Sequence, residues 1–288
     1  MKILTQKQCI IGEGPIWCER EGLLYFVNGI DNEICTYDPA TDIVQTYPQA
    51  VGVAAIAFAK DGRMLVTRAD GAYFLDLPSG RTTPMYDDRF KITNANDAKV
   101  GPDGCFYVGT QSEFRLGISE RIDGKLYRIT PEGEVSVLLD GLILANGMDW
   151  SPDERFFYLA DTGAKKVREY EFDKATGGLN PTGREVHVSG ADGLTIDEDG
   201  ILYVASWGKS CLVVIDTKAM TISDTLPVPT KAPASCAFFG KALNDLVITT
   251  AAYPQNVEHD AAAGFLLVQK TKTSGRLPYY FGETRKVL

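Results

Sequence analysis

Asn146-Gly-Met-Asp-Trp-Ser-Pro-Asp-Glu-Arg-Phe-Phe-Tyr-Leu-Ala-Asp161 holds two short apolar runs on either side of a tight turn. The same plan recurs in Asp192-Gly-Leu-Thr-Ile-Asp-Glu-Asp-Gly-Ile-Leu-Tyr-Val-Ala-Ser206 and in Asn96-Asp-Ala-Lys-Val-Gly-Pro-Asp-Gly-Cys-Phe-Tyr-Val-Gly-Thr110. Ala54 to Thr67 follows it too, and looser copies run from Gly14 to Val27 and from Cys236 to Thr249. Apolar strand, Asp-Gly turn, apolar strand is the pattern of a β-hairpin. Equivalent points fall near residues 16, 56, 98, 148, 194 and 237, so the unit repeats every 40 to 50 residues. Further strand-like runs, such as Glu33–Asp38, Gly71–Asp76 and Cys211–Asp216, follow each hairpin at one strand's distance. Six units of about four strands each predict an all-β, six-bladed β-propeller.

A ring of blades must close. Lys2 to Ile10 precedes the first hairpin and has no partner inside it, so it is expected to complete the last blade beside Gly264 to Gln269. No linker and no amphipathic helix interrupts the pattern, which predicts a single domain over residues 1–288.

Composition narrows the function. The 288 residues carry a net charge of −9, which argues against a nucleic-acid partner. No apolar run is long enough to span a membrane. The N-terminus lacks the apolar stretch of a signal peptide, and the six cysteines are scattered with no C-x-x-C pair. The expectation is a cytoplasmic protein with reduced, mostly buried thiols, as a monomer or weak homo-oligomer. The only histidines are His187 and His259, and there is no G-x-S-x-G elbow. A Ser-His-Asp hydrolase and a histidine-rich zinc site are therefore disfavoured. No glycine-rich phosphate loop is present either.

What remains are carboxylates and amides at the starts of inner strands. In a propeller these strands line one central channel, so residues at equivalent points of different blades converge. Those points hold Glu13, Asn96, Asn146 and Asp192. Two carboxylates and two amide oxygens suit one divalent cation. Asn146-Gly147 and Asp192-Gly193 also read as ordinary turn pairs, and taken singly each fits that reading better.

Gly12-Glu13-Gly14-Pro15, Asn96-Asp97-Ala98-Lys99, Asn146-Gly147-Met148-Asp149-Trp150-Ser151 and Asp192-Gly193 together resemble the senescence marker protein / gluconolactonase / luciferin-regenerating enzyme family, which includes regucalcin. The likeness runs in order over nearly the whole chain, to Gly240-Lys241 and Gly264-Phe265. It implies a six-bladed propeller that hydrolyses a small sugar lactone, with a divalent metal (calcium, zinc, magnesium or manganese) held by Glu13, Asn146 and Asp192. Asn96 falls beside metal and substrate, and Asp192 also falls on the proton acceptor. Two departures alter the substrate wall. Asn94 stands where the regucalcin-like lactonases have an arginine, and Phe114, next to Glu113, stands where they have a substrate-contacting glutamate. Losing the arginine should weaken binding of an anionic group there, unless Arg115 or Arg121 reaches in. Aldonolactones are thus the first expected substrates, with uronic and aldaric lactones second. A non-catalytic calcium-binding scaffold and a phosphotriester hydrolase are the rival readings.

Of the remaining residues, Trp17, Trp150 and Trp207 are expected between blades, with the pocket mouth as the alternative place for Trp207, which follows a strand end near Asp192. The stretch around Arg115 and Arg121 is expected to be a surface loop over that mouth.

Overall fold

The computed structural model describes residues 1–252 and 260–284. It contains six four-stranded antiparallel sheets, the arrangement of a six-bladed propeller. The inner strands, in blade order, are Gly12–Cys18, Ala55–Phe58, Ala95–Val100, Ala145–Trp150, Ala191–Ile196 and Pro233–Phe239. Each leads into its neighbour through a tight turn, and Gly62, Gly104 and Gly200 of the Asp-Gly pairs take the positive φ that such turns require.

The second strands, such as Leu23–Asn28, Phe156–Asp161 and Ile201–Ser206, are buried nearly end to end. The packing explains why they read as continuous apolar runs rather than alternating ones. Successive side chains of a strand leave opposite faces of its sheet, and every blade is sandwiched between two others. Phe157 and Leu159 enter the cluster shared with the third blade, whereas Tyr158 and Ala160 enter the one shared with the fifth. Among the described residues six apolar clusters arise in this way, one at each junction between consecutive blades. The outer strands have only solvent beyond them, and Thr221–Pro227 is exposed along most of its length.

The ring closes at the sixth blade, whose strand order places Lys2–Ile3 outermost, beside Leu267–Lys270. Lys2 lies opposite Val268 and Ile3 opposite Leu267. The ladder is shorter than the expected Lys2–Ile10. Beyond it Leu4 N–H donates to Leu266 O, Gln8 Nε2 to Ala263 O, Cys9 N–H to Gly264 O and Ala252 N–H to Cys9 O, and Cys9 is wholly buried between the first and sixth blades. All six cysteines are free, and five are buried. No helix among the described residues is long and apolar enough to cross a membrane.

The C-terminal segment is a feature that the repeats do not announce. After the last strand, residues 274–283 run across the far ends of the inner strands. Glu198 N–H donates to Ser274 O, Gly275 N–H to Leu243 O, Phe281 N–H to Phe58 O, Lys60 N–H to Phe281 O and Gly282 N–H to Gly104 O. The Arg276 guanidinium donates to the carbonyls of Trp150 and Ser151. One strap thus fastens five blades, and it covers one end of the channel.

Candidate metal centre

The inner strands all begin at the opposite end of the channel, and five of them are irregular there. Regular pairing with the second strand breaks between Glu13 and Ile16, between Ala95 and Ala98, between Ala145 and Met148, between Ala191 and Leu194, and between Pro233 and Ser235. A β-bulge frees residues from the ladder and re-aims their side chains, so bulges recur beside functional sites. The freed residues here are Asn96-Asp97, Asn146-Gly147 and Asp192-Gly193, with Glu13 at the edge of the first break. Asn146-Gly147 and Asp192-Gly193 are therefore bulges inside strands and not turns. Neither glycine has positive φ. They are needed for close approach: a Cβ on Gly147 would sit 2.5 Å from Asp192 O, and one on Gly193 would sit 2.1 Å from Ser235 Oγ.

The structure brings Glu13, Asn96, Asn146 and Asp192 to the wall of one open cleft of about 740 Å³. Asp97, Gln111, Arg115, Thr162, Ile30 and Trp207 share that wall. Trp17 and Trp150 are buried between blades. Hydrogen bonds orient the amides. Asn146 Nδ2 donates to Thr162 Oγ1 at 3.1 Å, and that hydroxyl donates onward to Ala191 O. Asn96 Nδ2 donates to Ala145 O at 3.2 Å. With each NH₂ group engaged, each Oδ1 stays available as a ligand.

The carboxylates are poorly compensated. Burial, and then the negative charges of Asp192 and Asp97, holds Glu13 well above the ordinary carboxylate range. Asp192 is raised in the same way, by burial and then by Asp97, while Asn146, the Gly193 N–H and Arg115 pull it partly back. Burial also raises Asp97, against the Ala98 N–H and Lys99. Three carboxylates sharing low-dielectric surroundings repel one another, and a cation among them would relieve that repulsion. Among the described residues no three acidic, histidine or cysteine side chains form a ligand cage by themselves. A cation here would need the amide oxygens as well, and Glu13, Asn146, Asp192 and Asn96 form an all-oxygen set that suits a hard divalent ion.

Three sequence expectations are placed differently. Asn94 is not on the cleft wall. It takes a left-handed φ of 57° just before its strand, with its N–H donating to Ala69 O and its carbonyl accepting from Gln111 N–H. Glu113 is also off the wall. It opens the four-residue helix Glu113–Leu116, where Glu113 Oε2 accepts from Ser119 Oγ at 2.6 Å. Phe114, on the same helix, is about half exposed. Of the two cations expected near the mouth, Arg115 lines the cleft and Arg121 does not. His187 is exposed on an outer strand, and His259 lies outside the described residues. Asp97 is the residue that sequence reasoning missed. It occupies the bulge position that Gly147 and Gly193 hold in the next two blades, and that break in the repeat was the available signal.

Comparison with known proteins agrees with this arrangement. The model of the SMP-30/gluconolactonase/LRE-like region matches residues 11–252. The Bacillus subtilis (strain 168) protein named as the sugar lactone lactonase YvrE is 30% identical over 283 residues, covering 95% of this chain and 96% of that one. Regucalcin of Gallus gallus is 30% identical over 284 residues, covering 94% of each chain. The structure of a calcium-binding protein, regucalcin, from Agrobacterium tumefaciens str. C58 superposes with a TM-score of 0.84 at 23% identity, covering 97% of this chain and 96% of that one, and so shares the fold. With the six blades and the match over residues 11–252 in agreement, the chain belongs to the SMP-30/gluconolactonase/LRE-like family.

Proposed function

We propose that the chain is a lactonase that opens a small sugar-acid lactone, with one divalent cation held by Glu13, Asn146 and Asp192 and Asn96 beside it. The observation that carries this reading is the convergence of Glu13, Asp97 and Asp192 on one open cleft, Asp192 buried and the other two half-buried, where lost solvation holds each carboxyl above its ordinary range. Such a trio is stable when ionised only beside a cation, and its oxygen donors favour calcium, magnesium or manganese over a thiolate- or imidazole-seeking metal. When bound, the cation polarises the lactone carbonyl and makes a neighbouring water more acidic.

The residues supply the rest. Asp192 accepts a proton as water attacks the carbonyl carbon. The carbon–oxygen bond of the ring then breaks, and the ring oxygen leaves as a hydroxyl, taking up a proton. Asn96 offers a polar contact for the sugar, and Ile30 and Trp207 form an apolar side of the cleft that limits water. A lactone panel assayed with and without chelator tests the reading. Turnover that chelator abolishes, and that calcium, magnesium or manganese restores, is the expected result. Metal binding with no hydrolysis of any lactone would leave a calcium-binding scaffold. Turnover indifferent to chelator would remove the cation from the reaction.

A further inference from the structure

Arg115 is the sole basic residue on the cleft wall among the described residues. The lid around it is built, not loose. Ser112, wholly buried, donates through Oγ to Ile143 O at 2.9 Å and accepts the Arg115 N–H at 3.1 Å, capping the short helix. Gly117 ends that helix in a left-handed conformation. Phe114 N–H donates to Arg121 O, and Glu113 N–H to Asp123 Oδ1, so the far side of the lid is fastened as well.

The other lid charges face one another. Arg121 lies 3.7 Å from Glu113 and 3.4 Å from Asp123. Arg115 has no carboxylate within ion-pair distance among the described residues. A guanidinium presents a planar fork of donors that matches a carboxylate. Here it lines, with no ion-pair partner among the described residues, a cleft that a neutral lactone could occupy without it.

We infer that Arg115 binds an ionised carboxylate on the substrate, so that the preferred lactones are uronic or aldaric ones carrying a second acidic group. This rests on the lactonase reading and refines it. It reverses the order expected from sequence, because the cation lost at Asn94 is supplied from the lid. The competing role is charge balance, in which Arg115 offsets the three carboxylates and never touches substrate; the two roles differ in what they perturb.

The test compares wild type with Arg115→Gln and Arg115→Lys, all metal-loaded. Kinetics use the neutral glucono-1,5-lactone and a glucarolactone, and calorimetry uses the unreactive ions gluconate and glucarate. The expected result is wild-type preference for the glucarolactone. Arg115→Gln should raise its KM, and the Kd for glucarate, about ten- to hundredfold with kcat nearly unchanged. The loss on the neutral lactone should be far smaller, and Arg115→Lys should fall between wild type and Arg115→Gln. Equal losses on both lactones, a weakened metal affinity in Arg115→Gln, or equal wild-type binding of gluconate and glucarate would each overturn the inference. If no lactone is hydrolysed, the lactonase reading fails, and the glucarate titration alone still decides for or against Arg115.

Discussion

The two ends of the channel are made by the same strands and treat charge in opposite ways. At the strap end, Asp149 receives Lys99 Nζ at 2.6 Å, and the Arg276 guanidinium lies 3.7 Å away. Thr195 Oγ1 reaches it as well. These residues line a cavity of about 80 Å³, bordered on the strap side by Arg276, Leu277, Pro278 and Tyr279. At the open end, Glu13, Asp97 and Asp192 share one cleft with a single cation, Arg115. Paired charge at a closed end maintains structure, whereas uncompensated charge at an open end awaits a ligand. Asp97 borders both cavities and marks the level at which one regime gives way to the other.

The largest effect should come from the open end. Asp192→Asn keeps the size and one oxygen but loses the charge and most of the basicity. At saturating metal its turnover is expected to fall by roughly two to four orders of magnitude, with little change in melting temperature. Metal-saturated kinetics check this, and recovery to near wild-type turnover would reduce Asp192 to a ligand. Glu13→Gln should weaken metal binding and turnover together, as calorimetry and assay would show.

Asp149→Asn should do the reverse. It leaves Lys99 without its carboxylate and takes the nearest negative charge from Arg276, which keeps its carbonyl partners, and this is expected to cost about 2–4 kcal/mol once the partial exposure of Lys99 is allowed for. Denaturant unfolding measures that loss. Metal affinity and low-temperature turnover should hardly move, and a variant that lost metal binding instead would erase the contrast between the two ends.

The smallest effect is on pH dependence, and it carries a sign. Carboxylates raised in the folded state give their full contribution to stability below the ordinary carboxylate range, near pH 4, and lose it as pH rises through their raised values. The metal-free protein should therefore lose stability as pH rises from the ordinary carboxylate range, near pH 4, through the raised values, by about 1.4 kcal/mol for each unit by which a site carboxylate is displaced. Added cation replaces the protons and should flatten or invert this slope. Melting curves across that range, with and without chelator, read it directly, and two parallel curves would argue against cation binding by these carboxylates.

Most of the fold was legible because a propeller writes one hairpin six times, and the repeat survives drift in any one copy. The convergence of Glu13, Asn96, Asn146 and Asp192 followed from the same repeat. The bulges did not, since a shift in register changes no residue type and Asn-Gly reads locally as a turn. Asp97 is hidden beside Asn96 in the sequence, because in a regular strand adjacent residues face opposite ways and only the bulge between Ala95 and Ala98 frees both from the ladder. Asn94 and Glu113 were placed by likeness to relatives, and the local backbone keeps them off the cleft wall. The strap was invisible for another reason. Residues 274–283 have no periodicity, and much of what they hold is held through backbone hydrogen bonds that any sequence can make.

The strap also decides how traffic moves. By covering the far end it turns the channel from a tunnel into a cup, so that whatever enters at the mouth must leave by the mouth. The opened sugar acid cannot drain away beneath the next incoming ring; the two take turns at one doorway. Accumulated product should therefore act as a competitive inhibitor, raising the apparent KM while leaving the maximal rate untouched.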